Sequence, residues 1–341
     1  MTDPEKATFD RVSVIGAGAW GTALAIIAER SGRQTRLWAR RPDQAVRMAA
    51  DRENADHFPG IELPGAIAVA GQDPADFAAA LAADLVLYAQ PAQHFRAFCR
   101  SARPLWRSGT PLLICAKGIE RESGALLNEI AEAELPGANA AILSGPSFAR
   151  DAAFGLPTAV VIAGRDGTMV GAAMAALSNA SFRPYGLDDT IGVEVAGAVK
   201  NVLAIACGMV IGRGLGENAR AALIARGLAE MSRLALAKGG RADTMMGLAG
   251  LGDLVLTCSS MTSRNMSLGV ELGGGRTLAE ILAARTSIAE GVPTAAALAT
   301  LAARLGVDMP ISAAVLRILN DGTSIDDEVR ALLARPLKRE G

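Results

Sequence analysis

Histidine and cysteine are scarce: the 341 residues hold two and four of them, respectively. A catalytic zinc site usually takes three protein ligands, and His57 and His94 read as surface or loop residues rather than ligands. Cys99, Cys115, Cys207 and Cys258 stand far apart with no CxxC pair, which leaves neither a zinc knuckle nor a disulfide framework and reads as buried reduced thiols. No GxSxG elbow occurs, so a serine-histidine hydrolase is poorly supported. Charge is nearly balanced, 34 basic against 35 acidic residues. With no basic block to suit a phosphate backbone, no nucleic-acid partner is expected. Apolar runs are too short or too interrupted for the ~20 residues of a membrane helix. The charge-free stretch Val12 to Ala28 is broken by glycines and follows a leader without cationic balance, so it is not a signal-peptide core. The expectation is a cytoplasmic protein without a membrane span, tandem repeat or low-complexity linker.

What remains is ample apolar material, 50% of the chain, in a length that suggests two domains at ~100–200 residues each. Buried, parallel-sheet strands are predicted at "RVSVIG" (Arg11 to Gly16), "QTRLWA" (Gln34 to Ala39), "DLVLYA" (Asp84 to Ala89), "PLLICA" (Pro111 to Ala116), "AAILSG" (Ala140 to Gly145) and "TAVVIAG" (Thr158 to Gly164). Helical segments such as Thr22 to Arg30 and Gly124 to Ala133 lie between them. From about Asp189 onward strand candidates vanish, and "ARAALIARGLAEMSRLALAKGG" is the clearest amphipathic repeat, stopped by Gly239 and Gly240. The fold class is therefore α/β: a doubly wound, Rossmann-type domain over 1–190, then an all-helical second domain over 191–341.

Within the apolar run Ile191 to Gly212, Lys200 is the single basic residue. Its helical face carries Val193, Ala196, Gly197, Leu203, Ala204, Cys207 and Gly208, which offers space and no partner. Glu194 lies off that face. Such a lysine either snorkels to water, pairs with a carboxylate, or serves chemistry.

"VSVIGAGAWGTALA" sets Gly16, Gly18 and Gly21 in GxGxxG spacing between a strand and a helix, the context that makes this motif specific. Gly16 permits the tight turn, Gly18 lets backbone approach a pyrophosphate, and Gly21 lets helix and strand close. The helix start then presents unpaired N–H groups to phosphate. Where an NAD enzyme carries a carboxylate after the second strand, this chain has Arg40 and Arg41. Guanidinium at that place suits the 2′-phosphate of NADPH, so NADPH is favoured and NADH allowed; the alternative is a solvated basic loop with Asp43 making the ribose contact.

"CAKGIE", "SGPSFA", "GAVKNVLAIACG", "GLAGLGDLVLTC" and "SRN" follow in that order. Together with "GAGAWGTALA" they closely resemble bacterial-type NAD(P)-dependent glycerol-3-phosphate dehydrogenase, from about Arg11 to the C-terminal region. The resemblance implies an NAD(P)-dependent oxidoreductase acting on a CH–OH group. It would interconvert dihydroxyacetone phosphate and sn-glycerol 3-phosphate, a phospholipid precursor. It makes Lys200 the proton-transferring residue, Asp253 its carboxylate partner, and Lys117 a contact to substrate and cofactor. Alone, Asp253 would pass as a helix N-cap and Lys117 as an exposed loop lysine. Further cofactor contacts fall on Ala19, Trp20, Arg40, Gly145, Ala149, Arg264, Ile288 and Glu290. Substrate contacts fall on Gly145, Ser147, Ser263, Arg264 and Asn265. Ser263 is also a predicted helix cap, so backbone N–H groups and Arg264 would converge on a phosphate. Trp20 is read as packing over the cofactor, and Gly197 and Ala204 as room for nicotinamide and substrate.

One departure is "AQPAQHF" (Ala89 to Phe95), where the family usually has a valine-proline-serine run. β-Hydroxyacid dehydrogenases also join a Rossmann domain to a helical one and use a lysine, but would need a carboxylate site in place of "SRN". A redox-sensing dinucleotide module would give no reason for Lys117, Lys200, Asp253 and Arg264 to occur together. A homodimer is an expectation from enzyme class alone.

Overall fold

The computed structural model describes residues 9–71, 73, 75–285, 289–337 and 339. Among the described residues, eight strands form one sheet in the order β3-β2-β1-β4-β5-β6-β7-β8. They are β1 (Arg11–Ile15), β2 (Gln34–Trp38), β3 (Ala68–Ala70), β4 (Leu85–Tyr88), β5 (Pro111–Ile114), β6 (Asn139–Ser144), β7 (Thr158–Gly164) and β8 (Phe182–Leu187). All neighbours pair in parallel except β6 and β7. Two apolar layers cover the sheet, one led by Val12, Val14, Leu24 and Ile27, the other by Val86, Tyr88, Phe95 and Ile130. Central strands such as β4 are buried on both faces, which explains why they read as unbroken apolar runs.

Three features depart from expectation. The β6–β7 pair is antiparallel, not parallel as predicted. Its only connecting helix, Ala149–Ala153, advances about 7.5 Å at 1.5 Å per residue, too little to carry the chain back along a strand of about 20 Å. Strand β8, "FRPYGL", was not predicted because proline and glycine count against strands. It pairs only with β7, and an edge strand tolerates a residue without an N–H. Strand β3 is three residues long, too short for a periodicity to appear.

The second half is helical, as expected. Its axis is the helix Thr190–Gly212, whose N-cap Asp189 accepts from Gly192 N at 2.8 Å, Arg241 N at 2.9 Å and Thr244 Oγ1 at 2.6 Å. Contrary to the sequence expectation, this one helix is long and apolar enough to span a membrane, yet 89% of its apolar window is buried inside the protein. Its hydrophobicity serves a core, which holds Val199, Leu203, Ile205, Met231, Leu254 and Leu298. The helix Gly216–Lys238 stops at Gly239, φ 101°, as predicted.

The helix Arg264–Gly273 crosses the central one at backbone contact. A Cβ built on Gly208 would lie 2.2 Å from Met266 O, and one on Gly269 would lie 2.2 Å from Ile205 O. No other residue fits this crossing without moving a helix. From sequence, Gly197 and Ala204 on the central helix were read as room for nicotinamide and substrate. At Gly197, too, the space is taken by protein, since a Cβ there would meet Ser144 Oγ at 3.2 Å and Lys117 Cγ at 3.5 Å.

Candidate functional site

Lys200 does not snorkel: its side chain is 7% exposed and is held by groups from the next helical elements. Its Nζ donates to Asp253 Oδ1 at 2.5 Å and to Thr257 Oγ1 at 3.0 Å. The other carboxylate oxygen of Asp253 accepts from Lys117 Nζ at 2.7 Å. Lys117 also donates to Gly145 O at 3.1 Å, and that carbonyl accepts Ser147 Oγ at 2.9 Å. Residues from loops after β5 and β6 and from the helical half thus form one chain: Ser147, Gly145, Lys117, Asp253, Lys200, Thr257.

Local structure explains the placement. Lys117 and Gly145 leave the carboxyl ends of β5 and β6, the edge where open α/β sheets bind ligands. Gly145 has φ +131°, and a Cβ there would lie 3.0 Å from Val160 Cα. Asp253 opens the helix Asp253–Ser259 directly after the π-turn Leu248–Gly252. Gly252, not Asp253, is the N-cap, so the carboxylate is free for the lysines.

Two ammoniums share one carboxylate, so the cluster carries net positive charge. Burial pulls Lys200 down to about 8; the Asp253 charge opposes this and the Lys117 charge adds to it. Burial pushes the Asp253 carboxyl up, but the two lysines outweigh it and hold it below the ordinary carboxylate range. An ammonium has three N–H donors. Among the described residues Lys200 and Lys117 each use two, which leaves one on each for a ligand.

Beside this chain, Ser263 caps the helix Arg264–Gly273, accepting from Met266 N at 3.2 Å. Asn265 is buried, with Oδ1 accepting from Gly291 N at 2.9 Å and Nδ2 donating to Asn201 Oδ1 at 3.0 Å. Asn201 follows Lys200 directly, so the cap and the lysine are joined through two amides. Arg264 is open to solvent by area but crowded by protein, which lowers its proton affinity against the Glu290 charge. Glu290 is pushed up to about 7 by burial, opposed by Arg264, and its Oε2 has no protein partner among the described residues. Gly118, beside Lys117, would place a Cβ 3.6 Å from that oxygen.

The glycine loop lies at the switch between β1 and β4. Gly16 has φ +116°, and its Cβ would strike Gln90 Cγ at 2.7 Å; a Cβ on Gly21 would lie 1.8 Å from Gly16 O. Gly18 differs, with nothing within 4 Å of its would-be Cβ. The helix Ala19–Arg30 starts there without a side-chain cap, leaving its first N–H groups available. Trp20 packs on the sheet core, its buried Nε1 unpartnered among the described residues. Arg40 and Arg41 are exposed after β2. Ala149 opens the short helix after Ser147, and Ile288 lies outside the described residues. The open Gly18, the orphaned Trp20 Nε1 and Glu290 Oε2, and the two arginines fit a dinucleotide with a polar ribose and a charged adenosine end.

Family models for the NAD-dependent glycerol-3-phosphate dehydrogenase N-terminus and C-terminus match residues 11–170 and 189–330. The chain belongs to the NAD-dependent glycerol-3-phosphate dehydrogenase family. It is 52% identical to glycerol-3-phosphate dehydrogenase [NAD(P)+] of Rhodospirillum rubrum, over 97% of this chain and 94% of that one. Its identity to the Caulobacter vibrioides enzyme of the same name is 51%, over 98% and 99%. The crystal structure of glycerol-3-phosphate dehydrogenase from Coxiella burnetii superposes with a TM-score of 0.91 at 38% identity, over 96% of this chain and 100% of that one.

Sequence reading missed Thr257 and Asn201, both in plain view within "GLGDLVLTC" and "VKN". A threonine four residues after Asp253 on one helix face, and a polar neighbour to the buried lysine, were the available signals. The departing loop is tied in by Gln93, which donates to Ile119 O at 2.8 Å and accepts from Arg121 N at 3.0 Å. Glu194, off the lysine's face as expected, accepts from Asn128 N at 3.1 Å and locks the central helix to the nucleotide-binding half.

Proposed function

We propose that this protein is an NAD(P)-dependent glycerol-3-phosphate dehydrogenase of the cytoplasm, reducing dihydroxyacetone phosphate reversibly to sn-glycerol 3-phosphate for glycerophospholipid synthesis. The observation that carries the mechanism is the buried Lys200 ammonium, sharing Asp253 with Lys117. The nicotinamide nucleotide would be held by Gly16, Gly18, Ala19, Trp20, Gly21, Arg40, Arg41, Lys117, Gly145, Ala149, Arg264, Ile288 and Glu290, and when bound it supplies or accepts the hydride. In reduction, Lys200 Nζ gives its unused proton to the ketone oxygen as that oxygen gains charge. In oxidation the neutral amine takes the hydroxyl proton. Thr257 and Asp253 aim the nitrogen, and Lys117 offers a second donor to the same oxyanion. A positioned acid of this kind contributes on the order of 10²–10⁴ in rate.

The phosphate end is assigned to Ser263, Arg264, Asn265 and the open N–H groups of their helix, with Ser147 and Gly145 lining the opposite wall. Net positive charge over the Lys117–Asp253–Lys200 cluster suits a dianion and disfavours a neutral sugar. NADPH is favoured over NADH because Arg40 carries no ion pair among the described residues. The test follows nucleotide absorbance with dihydroxyacetone phosphate, then with 3-hydroxy acids in the reverse direction. Turnover on the phosphorylated ketone that Lys200→Ala abolishes is the expected result. Robust activity in that variant would remove Lys200 from the mechanism.

A further inference from the structure

The rim at the end of β2 contains a carboxylate that sequence position conceals. Arg41 is the N-cap of the helix Pro42–Asp51, and the chain then reverses at Arg52, φ 52°. This reversal returns Asp56 to the arginines: its Oδ2 accepts from Arg41 Nη2 at 2.6 Å and from Arg47 Nη2 at 2.6 Å. Asp43, the carboxylate nearest in sequence to the ribose position, is instead turned to Arg47 Nη1 at 3.0 Å.

The returning segment is fixed to the glycine loop by buried amides. Gln44 Nε2 and Asn54 Nδ2 both donate to Ala17 O at 2.9 Å, and Asn54 also donates to Thr22 Oγ1 at 2.8 Å. Asn54 stands two residues before Asp56, so the carboxylate keeps a set position relative to the Gly16–Gly21 turn. Asp56 remains about a third exposed, at 34%, and Arg41 about half, at 49%.

We propose that Asp56 supplies the ribose-hydroxyl acceptor that β2 itself does not carry, so that one rim serves both nucleotides: Arg40 and Arg41 for a 2′-phosphate, Asp56 for a free 2′-hydroxyl. The proposal rests on the reading of Arg40 and Arg41 as cofactor contacts. A guanidinium has five donors and a carboxylate about four acceptor positions. Arg41 directs one nitrogen to Asp56 and keeps the others for phosphate; Asp56 Oδ1 has no protein donor among the described residues. Three arginines against Asp43 and Asp56 leave a single net positive charge, enough to favour phosphate without excluding hydroxyl.

Direct binding decides it. Dissociation constants for NADPH and NADH are measured by nucleotide fluorescence, without substrate, on wild type, Asp56→Asn, Arg41→Ala and Arg40→Ala. Loss of a hydrogen bond to a charged group predicts a roughly tenfold weaker NADH in Asp56→Asn, with NADPH held or tightened. Arg41→Ala should weaken NADPH about tenfold and NADH far less. Equal shifts for both nucleotides in Asp56→Asn, or none, overturn the proposal. Should that variant not fold, an unchanged NADPH constant in Arg41→Ala overturns it instead. An unchanged NADPH constant in Arg40→Ala alone would count against the NADPH reading of Arg40, while the Asp56 ratio stands or falls by itself.

Discussion

Replacing Asp253 by asparagine keeps the shape of the side chain and removes the only carboxylate that, among the described residues, pairs with Lys200 and Lys117. Removing one partner of a buried ion pair costs about 3–5 kcal/mol, and one pKa unit corresponds to about 1.4 kcal/mol. Lys200, already at about 8, would escape most of that cost by losing its proton, falling by about two to three units to roughly 5–6. At pH 7 the wild-type amine is about ten-to-one protonated, whereas the variant would hold a proton in only about one molecule in ten to a hundred. Ketone reduction at pH 7 should fall on the order of 10–100-fold and recover on acidification to about pH 5.5. Wild-type reduction should be lost as pH rises through about 8 and the reverse oxidation gained, since each direction needs the opposite protonation state. Stability moves opposite to the reduction rate. The folded pKa lies below the ordinary lysine value of 10.5, so the unfolded chain binds more protons between the two and stability rises with pH across about 8 to 10.5. In the variant that rise should begin near pH 5–6. The assay is a pH series of kcat in both directions beside urea unfolding at each pH. An unmoved basic limb near pH 8 with a uniformly lower kcat would refute the claim that Asp253 sets the proton affinity of Lys200.

Glu290→Gln tests the orphaned carboxylate. Wild-type nucleotide affinity should rise with pH through about 7 as Glu290 ionises and accepts a ribose hydroxyl. In the glutamine variant that dependence should be flat by fluorescence titration. Gly208→Ala puts a methyl 2.2 Å from Met266 O. Overpacking of this kind costs about 1–3 kcal/mol, or a fall of roughly 2–12 °C in Tm by calorimetry; an unchanged Tm would mean that the helices part without penalty.

The Rossmann half was legible because its information is local. Period-free apolar runs bounded by turn residues marked each central strand, and GxGxxG marked the tight turn between β1 and the helix Ala19–Arg30. What escaped was decided by partners distant in sequence. Strand β8 carries Pro184, which only an edge position forgives, and the reversed direction of β7 follows from a helix too short to span the sheet. Site residues divided in the same way. Lys200 stood out as a charge in an apolar run, and Ser263 as a cap. The contact between Lys117 and Asp253 joins residues 136 positions apart, and the sequence reading did not contain it: the resemblance paired Asp253 with Lys200 alone. Asp56 left no local signal, because its meaning depends on a chain reversal at Arg52.

The crossing at Gly208 and Gly269 fixes more than a core. Lys200 rides on one of those helices and the Ser263–Arg264 turn begins the other, with main chain touching main chain where they meet. With no side chain between them to lengthen or shorten, the gap separating the proposed proton donor from the proposed anion anchor would work as a gauge block. A ligand one carbon longer between its phosphate and its carbonyl would find one end seated and the other displaced, and no single substitution at the crossing could widen the span to suit it.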